Sequence, residues 1–158
     1  MIRWGDRGDW EALKALDRHI GEEELKNVLD QRRLLVMYED GELAGWLRYG
    51  LFWDNLPFMN MLYILEGRRG RGGGRQLVGF WEREMGSAGY DMVLTFTLSS
   101  EQAQFFYRRL GYQDCGALVL PGEALEILLM KRLRLRYRKA DSIIESEDGL
   151  RPHGRIAD

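Results

Sequence analysis

The chain has 158 residues, 45% hydrophobic and 30% charged, with a net charge of −2, which fits one globular domain and excludes a disordered or fibrous chain. A single cysteine excludes an internal disulfide framework and a cysteine-ligated metal cluster, and the isolated His19 and His153 do not make a metal site. No apolar run approaches membrane-spanning length and the N-terminus lacks a signal-peptide core, so the expected compartment is the cytoplasm.

In chain order, Ile2 to Trp4 reads as a short strand, and Asp9 as the cap of a helix carrying Trp10, Leu13, Leu16 and Ile20 on one face. Gly21 breaks that helix. Glu22, Glu23 and Glu24 open a second one, acids well placed for its dipole, with Leu25, Val28 and Leu29 as its apolar face. Leu34 to Tyr38 and Leu43 to Phe52 are predicted strands joined through Asp40-Gly41, a hairpin signal. A loop around Pro57 leads to an apolar strand over residues 58–65. A helix then follows to Met85, with Leu77, Val78, Trp81 and Met85 on one face and Gly86 and Gly89 as its stop. Met92 to Thr97 is the next strand. Ser99 or Ser100 caps a helix over 101–110 that stops at Gly111, and residues 112–120 and 124–130 form an antiparallel pair. Cys115, in an apolar segment, is expected to be a small core residue rather than a nucleophile. The order β-α-α-β-β-β-α-β-α-β-β predicts a mixed sheet with helices on both faces.

The most informative stretch is Arg69-Gly70-Arg71-Gly72-Gly73-Gly74, between the apolar strand and the amphipathic helix. A strand that turns through glycines into a helix leaves the first backbone N–H groups of the helix unpaired. With the helix dipole they make a site for phosphate, and Gly72 and Gly74, lacking Cβ, let a diphosphate approach closely. The alternative is a flexible loop with solvated arginines. Arg75-Gln76 after the last glycine excludes a nucleoside-triphosphate loop, which needs Lys-Ser/Thr there, and the glycine spacing excludes a dinucleotide loop. Charge follows the same division: residues 1–66 carry 8 basic and 13 acidic side chains, residues 67–158 carry 15 and 12. An anionic ligand belongs in the second half. The acidic first half either steers a cationic acceptor or is the solvated surface of two helices.

The element order resembles that of the GNAT superfamily of N-acetyltransferases, and two signatures carry the likeness. Arg69-x-x-Gly72-x-Gly74 is similar to the family's pyrophosphate loop, preceded by the apolar triplet Leu62-Tyr63-Ile64 of its fourth strand. Ala103-Gln104-Phe105-Phe106-Tyr107-Arg108-Arg109-Leu110-Gly111-Tyr112 is similar to the family's later Ala-x-x-φ-Tyr-x-x-φ-Gly-φ helix end. The resemblance covers residues 2 to about 131 and implies a mixed α/β fold, a mostly antiparallel sheet of about seven strands flanked by four helices. It implies one acetyltransferase domain over 1–131, with 132–158 as a C-terminal extension.

It implies acetyl-CoA as donor, no metal, and direct transfer to a primary amine of a small molecule or peptide. Backbone N–H groups of Gly70, Arg71, Gly72, Gly73, Gly74 and Arg75, with Arg69, would hold the pyrophosphate. The pantetheine arm would pair with the open edge of Leu62, Tyr63 and Ile64, where a backbone N–H would also stabilise the thioester oxyanion. Tyr107 stands where the family places the general acid that protonates the departing thiolate, though it could instead simply pack the helix end. Ser100 stands where many relatives have a cofactor-contacting Asn. Thr95 replaces the strand-five Glu of relatives that acetylate protein N-termini, and Asn60 and Met61 lie where other branches carry a strand-four Glu. No acidic base carries over, so a water, ordered by Asn60 or Tyr63, or a group from the first half must take the amine proton. The missing base leaves a second reading open, a catalytically weak acyl-CoA-binding regulatory module. An RNA-binding Arg-Gly element fits the acidic chain poorly.

The resemblance sets the acceptor pocket between the first two helices, strand four and the last hairpin. Trp46, Tyr49, Phe52 and Trp53 supply aromatic surface nearby, most of it expected in the core. Beyond the domain, residues 132–138 alternate basic and apolar, the period of a strand, and are expected either to fray in solvent or to form an edge that pairs with a second subunit in a homodimer or folds back on the sheet.

Overall fold

A computed structural model describes residues 1–133; the expected strand over 132–138 lies outside it except for its first two residues, as does the rest of the extension. The chain folds as β1 (Ile2–Trp4), α1 (Trp10–Leu16), α2 (Glu22–Asp30), β2 (Leu34–Glu39), β3 (Glu42–Phe52), β4 (Leu56–Ile64), α3 (Gly73–Ser87), β5 (Met92–Leu98), α4 (Ala103–Arg109), β6 (Gln113–Leu118) and β7 (Glu126–Arg132). The seven strands form one sheet in the order β1-β2-β3-β4-β5-β7-β6, antiparallel throughout except for the β4–β5 pair.

Both faces of the sheet's first half are covered, so β2 alternates between two cores. Leu34 and Val36 pack with Leu13, Leu25 and Leu29 under α1 and α2, while Leu35 and Met37 pack with Leu77, Trp81 and Met85 under α3. Each such side chain, buried to a few per cent exposure, contributes roughly 1.5–3 kcal/mol. The hairpin between β2 and β3 uses Asp40 (φ 53°) and Gly41 (φ 82°), as its sequence requires. Gly89 and Gly111, both left-handed, end α3 and α4; Tyr112 N then returns to Tyr107 O at 3.1 Å.

Four local expectations are corrected. Asp9 does not cap α1; it is buried and takes two hydrogen bonds from Arg3, one from Asp6 N and one from the Tyr38 hydroxyl. Helix α1 stops at Leu16, before Gly21, because Asp17 turns inward to Arg48 and Trp46. Neither Ser99 nor Ser100 caps α4, which begins only at Ala103, with no side-chain cap. Cys115 is exposed, at a register shift in β6, an edge strand of the sheet.

Candidate active site

Strands β4 and β5 run parallel but pair only at Phe58–Leu94 and Met59–Thr95. Beyond those residues β4 stays with β3 and β5 with β7, so the two strands part and leave a V-shaped opening in the sheet. A β-bulge shapes one arm: Arg48 pairs with Met61 and Tyr49 with Met59, which leaves Asn60 as the extra residue. The bulge reverses the facing of the strand. Met59 belongs to the α3 side, whereas Met61 and Tyr63 turn to the α1–α2 side and Leu62 and Ile64 to α3.

The glycine loop closes the wide end of the V. Gly70 (φ 76°) and Gly72 (φ 84°) are left-handed, and the first helical bond of α3 is Gln76 N to Gly72 O at 3.1 Å. The N–H groups of residues 70–75 therefore donate to no backbone carbonyl, and α3 has no acid in its first turn to compete with an anion. Gly73 has a packing role that its sequence position did not reveal, since a Cβ there would stand 2.6 Å from Met37 Cε. Gly74 lets α3 approach α4, where a Cβ would stand 3.4 Å from the Phe106 ring.

The four arginines of the loop divide their work. Arg68 is tied to Glu39, Asp40 and Glu42 of the β2–β3 hairpin. Arg69 donates from Nε to Ile64 O at 2.9 Å and lies over the Tyr63 ring at 5.4 Å, so its side chain builds the mouth of the V. Arg71 and Arg75 are exposed and form no ion pair among the described residues. Beside the loop, between α3 and the end of α4, lies a cleft of about 270 Å3 lined by Arg75, Gly79, Glu82, Arg109 and Lys131. A larger one, about 530 Å3, lies at the Arg3–Tyr38 end of the sheet, far from the V, and the one carboxylate buried in it is fully bonded. We assign no role to that larger cleft.

Tyr107 of α4 reaches the narrow end of the V. It is 7% exposed, packed edge-on between Phe106 and Tyr112, and its hydroxyl contacts Thr95 of β5. Thr95 Oγ1 in turn donates to Met59 O at 3.2 Å, so the phenol sits where the strands part. Burial pushes the Tyr107 phenol up to about 12, the contact with Thr95 working against it and the Glu101 charge adding to it. Glu101 also accepts a hydrogen bond from Thr97 Oγ1 at 3.2 Å. Ser100 is exposed in the turn before α4. Among the described residues no group of His, Cys, Asp and Glu could hold a metal, and no helix is long and apolar enough to cross a membrane.

On the α1–α2 side the residue that sequence reasoning missed is Arg48. It is buried, with Nε 2.7 Å from Asp17 Oδ2, and Asp17 also accepts from Trp46 Nε1 at 2.9 Å. An arginine inside the apolar run from Leu43 to Phe52 was the available signal, because such a charge needs a buried partner. Trp46 stacks on Tyr63 at 4.8 Å. A continuous line of contacts thus runs from the glycine loop through Arg69, Tyr63 and Trp46 to the loop after α1. Of the four aromatics expected to be mostly core, Trp46 is buried and Tyr49 half-buried, but Phe52 and Trp53 are exposed.

Residues 3–112 match the acetyltransferase (GNAT) family. The chain belongs to that family. Solved structures agree on the fold. A ribosomal-protein-alanine N-acetyltransferase from Brucella melitensis is 21% identical with a TM-score of 0.71, over 84% of this chain and 99% of that one. Ard1 from Thermoplasma volcanium is 14% identical with a TM-score of 0.73, over 85% and 97%. A structure of yncA from Salmonella typhimurium with its cofactor acetyl-CoA is 18% identical with a TM-score of 0.71, over 90% and 98%. Among curated proteins none matches significantly. As a GNAT enzyme the protein is an N-acetyltransferase that uses acetyl-CoA as donor and an amine as acceptor.

Proposed function

We propose that acetyl-CoA lies in the V between β4 and β5 and that Tyr107 serves the leaving thiolate. The observation that carries this reading is the position of the Tyr107 hydroxyl, at Thr95, where the two strands part below a loop of unpaired N–H groups. The pyrophosphate takes the N–H groups of residues 70–75 and the charges of Arg71 and Arg75. The charged end of the cofactor extends toward Arg109 in the adjoining cleft. The pantetheine amides pair with the free edge of Leu62 to Ile64, extending the sheet.

In the reaction the amine nitrogen attacks the thioester carbonyl carbon, the C–S bond breaks, and the thiolate collects a proton. The phenol, at about 12, stays protonated across the neutral range. Against a thiol near 8.5, full transfer is uphill by about 3–4 pKa units. Tyr107 therefore donates a hydrogen bond first and gives up its proton only as the acylated nitrogen, now strongly acidic, returns one. The products are the amide and the free thiol, with no covalent enzyme intermediate and no metal. Asn60, on the bulge, orders the water that takes the first amine proton, and Ser100 offers a hydroxyl at the cofactor's flank.

We place the enzyme in the cytoplasm, where an exposed Cys115 stays reduced. Self-association of full-length protein through the segment after β7 is the remaining part of this reading. The structural relative that acts on a ribosomal-protein alanine supports a peptide acceptor. A panel of amines, polyamines, amino acids and peptides, read by the mass of the acetylated product, tests the transfer. At least one amine gains an acetyl group in an enzyme-dependent way; failure of every class while acetyl-CoA still binds favours the alternative, an acyl-CoA-binding module.

A further inference from the structure

The V passes through the sheet, and its two mouths differ. On one side α3 and α4 close it, with Phe106 against Gly74 and Tyr107 against Thr95. An acceptor reaches the thioester only from the other side, where α1 and α2 cover β2 and β3 but none of the described helices covers the face of β5, β7 and β6. On that open face the narrow end of the V is floored by aromatic rings. Phe96, the first β5 residue past the pairing with β4, stacks on Phe58 at 5.7 Å. Phe58 stacks on Phe52 at 5.7 Å, and Phe52 meets Trp53 at 4.7 Å. The row runs away from the glycine loop to the tip of the β3–β4 hairpin, with Phe52 39% and Trp53 77% exposed.

Two further observations fix the chemistry of what the row takes. The residues of β4 and β5 on this face, from Leu56, Phe58 and Met61 to Leu94 and Phe96, include no acid, and Arg48 beside them is spent on Asp17. The carboxylates that border the row are Asp54, next to Trp53 at the hairpin tip, and Glu126 of β7, opposite Leu98, so the row itself is apolar and charge lies only at its margins. The loop after β6, pinned by Ser99 N to Leu125 O at 2.7 Å, adds Val119 at 82% exposure and Leu120 at 45%. The surface is also open, with Trp53, Val119 and Leu120 all well exposed. Small-molecule sites are concave, whereas an open apolar floor continuous with the reacting centre suits a chain that brings several contacts.

We infer that the acceptor is the α-amine of a polypeptide whose first residues are large and apolar, laid along Phe96, Phe58, Phe52 and Trp53 with its nitrogen entering the V. This inference rests on the transfer reading above. At about 3.3 Å per extended residue, the row spans roughly the first four residues of such a chain.

The test uses peptides identical except for the first two residues, Phe-Leu, Ser-Asp or Lys-Lys, beside 2-phenylethylamine and spermidine, with acetylated product read by mass. The Phe-Leu peptide exceeds the Ser-Asp and Lys-Lys peptides by roughly tenfold or more in kcat/KM, the scale of apolar-pocket discrimination. Phe52→Ser and Trp53→Ser, at exposed positions the fold tolerates, lower that ratio. Equal rates, or a preference for spermidine or the charged peptides, overturn the inference while leaving transfer intact. A phenylethylamine rate equal to that of the Phe-Leu peptide overturns the polypeptide assignment. If acetyl-CoA binds but no amine of any class is acetylated, the transfer reading itself fails and the inference with it.

Discussion

Gly72→Asp separates cofactor binding from folding. Gly72 sits at φ 84°, and a Cβ there would meet only Gln76 Nε2 at 4.0 Å, so the variant has room for its side chain and suffers backbone strain alone. A left-handed non-glycine residue costs roughly 1–2 kcal/mol. At about 2–4 °C per kcal/mol for a chain of this size, its own melting temperature falls by a few degrees. In the wild type, acetyl-CoA at a hundred times its Kd adds about 2.7 kcal/mol, a rise of roughly 5–10 °C. The new carboxylate would stand against a diphosphate, and one like-charge pair at about 4 Å costs on the order of 4 kcal/mol at a partly exposed site. That exceeds the whole linkage gain. Differential scanning fluorimetry with and without acetyl-CoA therefore shows a melting rise in the wild type, most of it retained in Gly72→Ala, and none in Gly72→Asp. A folded Gly72→Asp protein with the full rise would refute the assignment of the loop to phosphate.

Three more outcomes follow from the geometry. Tyr107→Phe keeps the ring packing and cofactor affinity but loses roughly 10²-fold in kcat with the best amine; an effect confined to KM would mark Tyr107 as a binding residue. Asp17→Ala leaves Arg48 buried without its partner and costs about 3–5 kcal/mol in urea unfolding, and a cost under about 1 kcal/mol would show that the pair is not held as described. In alkali the Tyr107 phenol, raised when folded from its ordinary 10 to about 12, favours the folded state fully below pH 10, and that contribution is lost as pH climbs toward 12. Two units correspond to roughly 2–3 kcal/mol, so the stability of Tyr107→Phe relative to wild type improves between pH 9 and pH 12, where equal slopes would contradict the buried placement.

Most of the fold was legible because its signals are local. The Asp40-Gly41 turn, the apolar face of α3 and the glycine stops at Gly89 and Gly111 each specify their own backbone within a few residues. What the sequence hid depends on distant partners. Asp17 ends α1 early because Arg48 and Trp46, about thirty residues on, claim its carboxylate, and no cap or breaker at Asp17 announces this. The bulge at Asn60 carries no residue signature, yet it decides which of Met59, Met61 and Tyr63 face the V. Cys115 reads as core because its neighbours are apolar, and only the position of β6 at the sheet edge exposes it. For the site, the two motifs located the glycine loop and Tyr107, but the placement of Arg69 along β4, the Thr95 contact and the aromatic floor required the sheet.

In the proposed complex the thioester rests at the point where β4 and β5 part, beside Tyr107. A crystal structure of the protein with CoA tests this placement most directly. In that complex the pyrophosphate lies on the N–H groups of residues 70–75 and the cofactor sulfur within hydrogen-bond reach of the Tyr107 hydroxyl, roughly 3–3.5 Å. A sulfur pointing away from Tyr107, or a cofactor seated outside the β4–β5 opening, would contradict it.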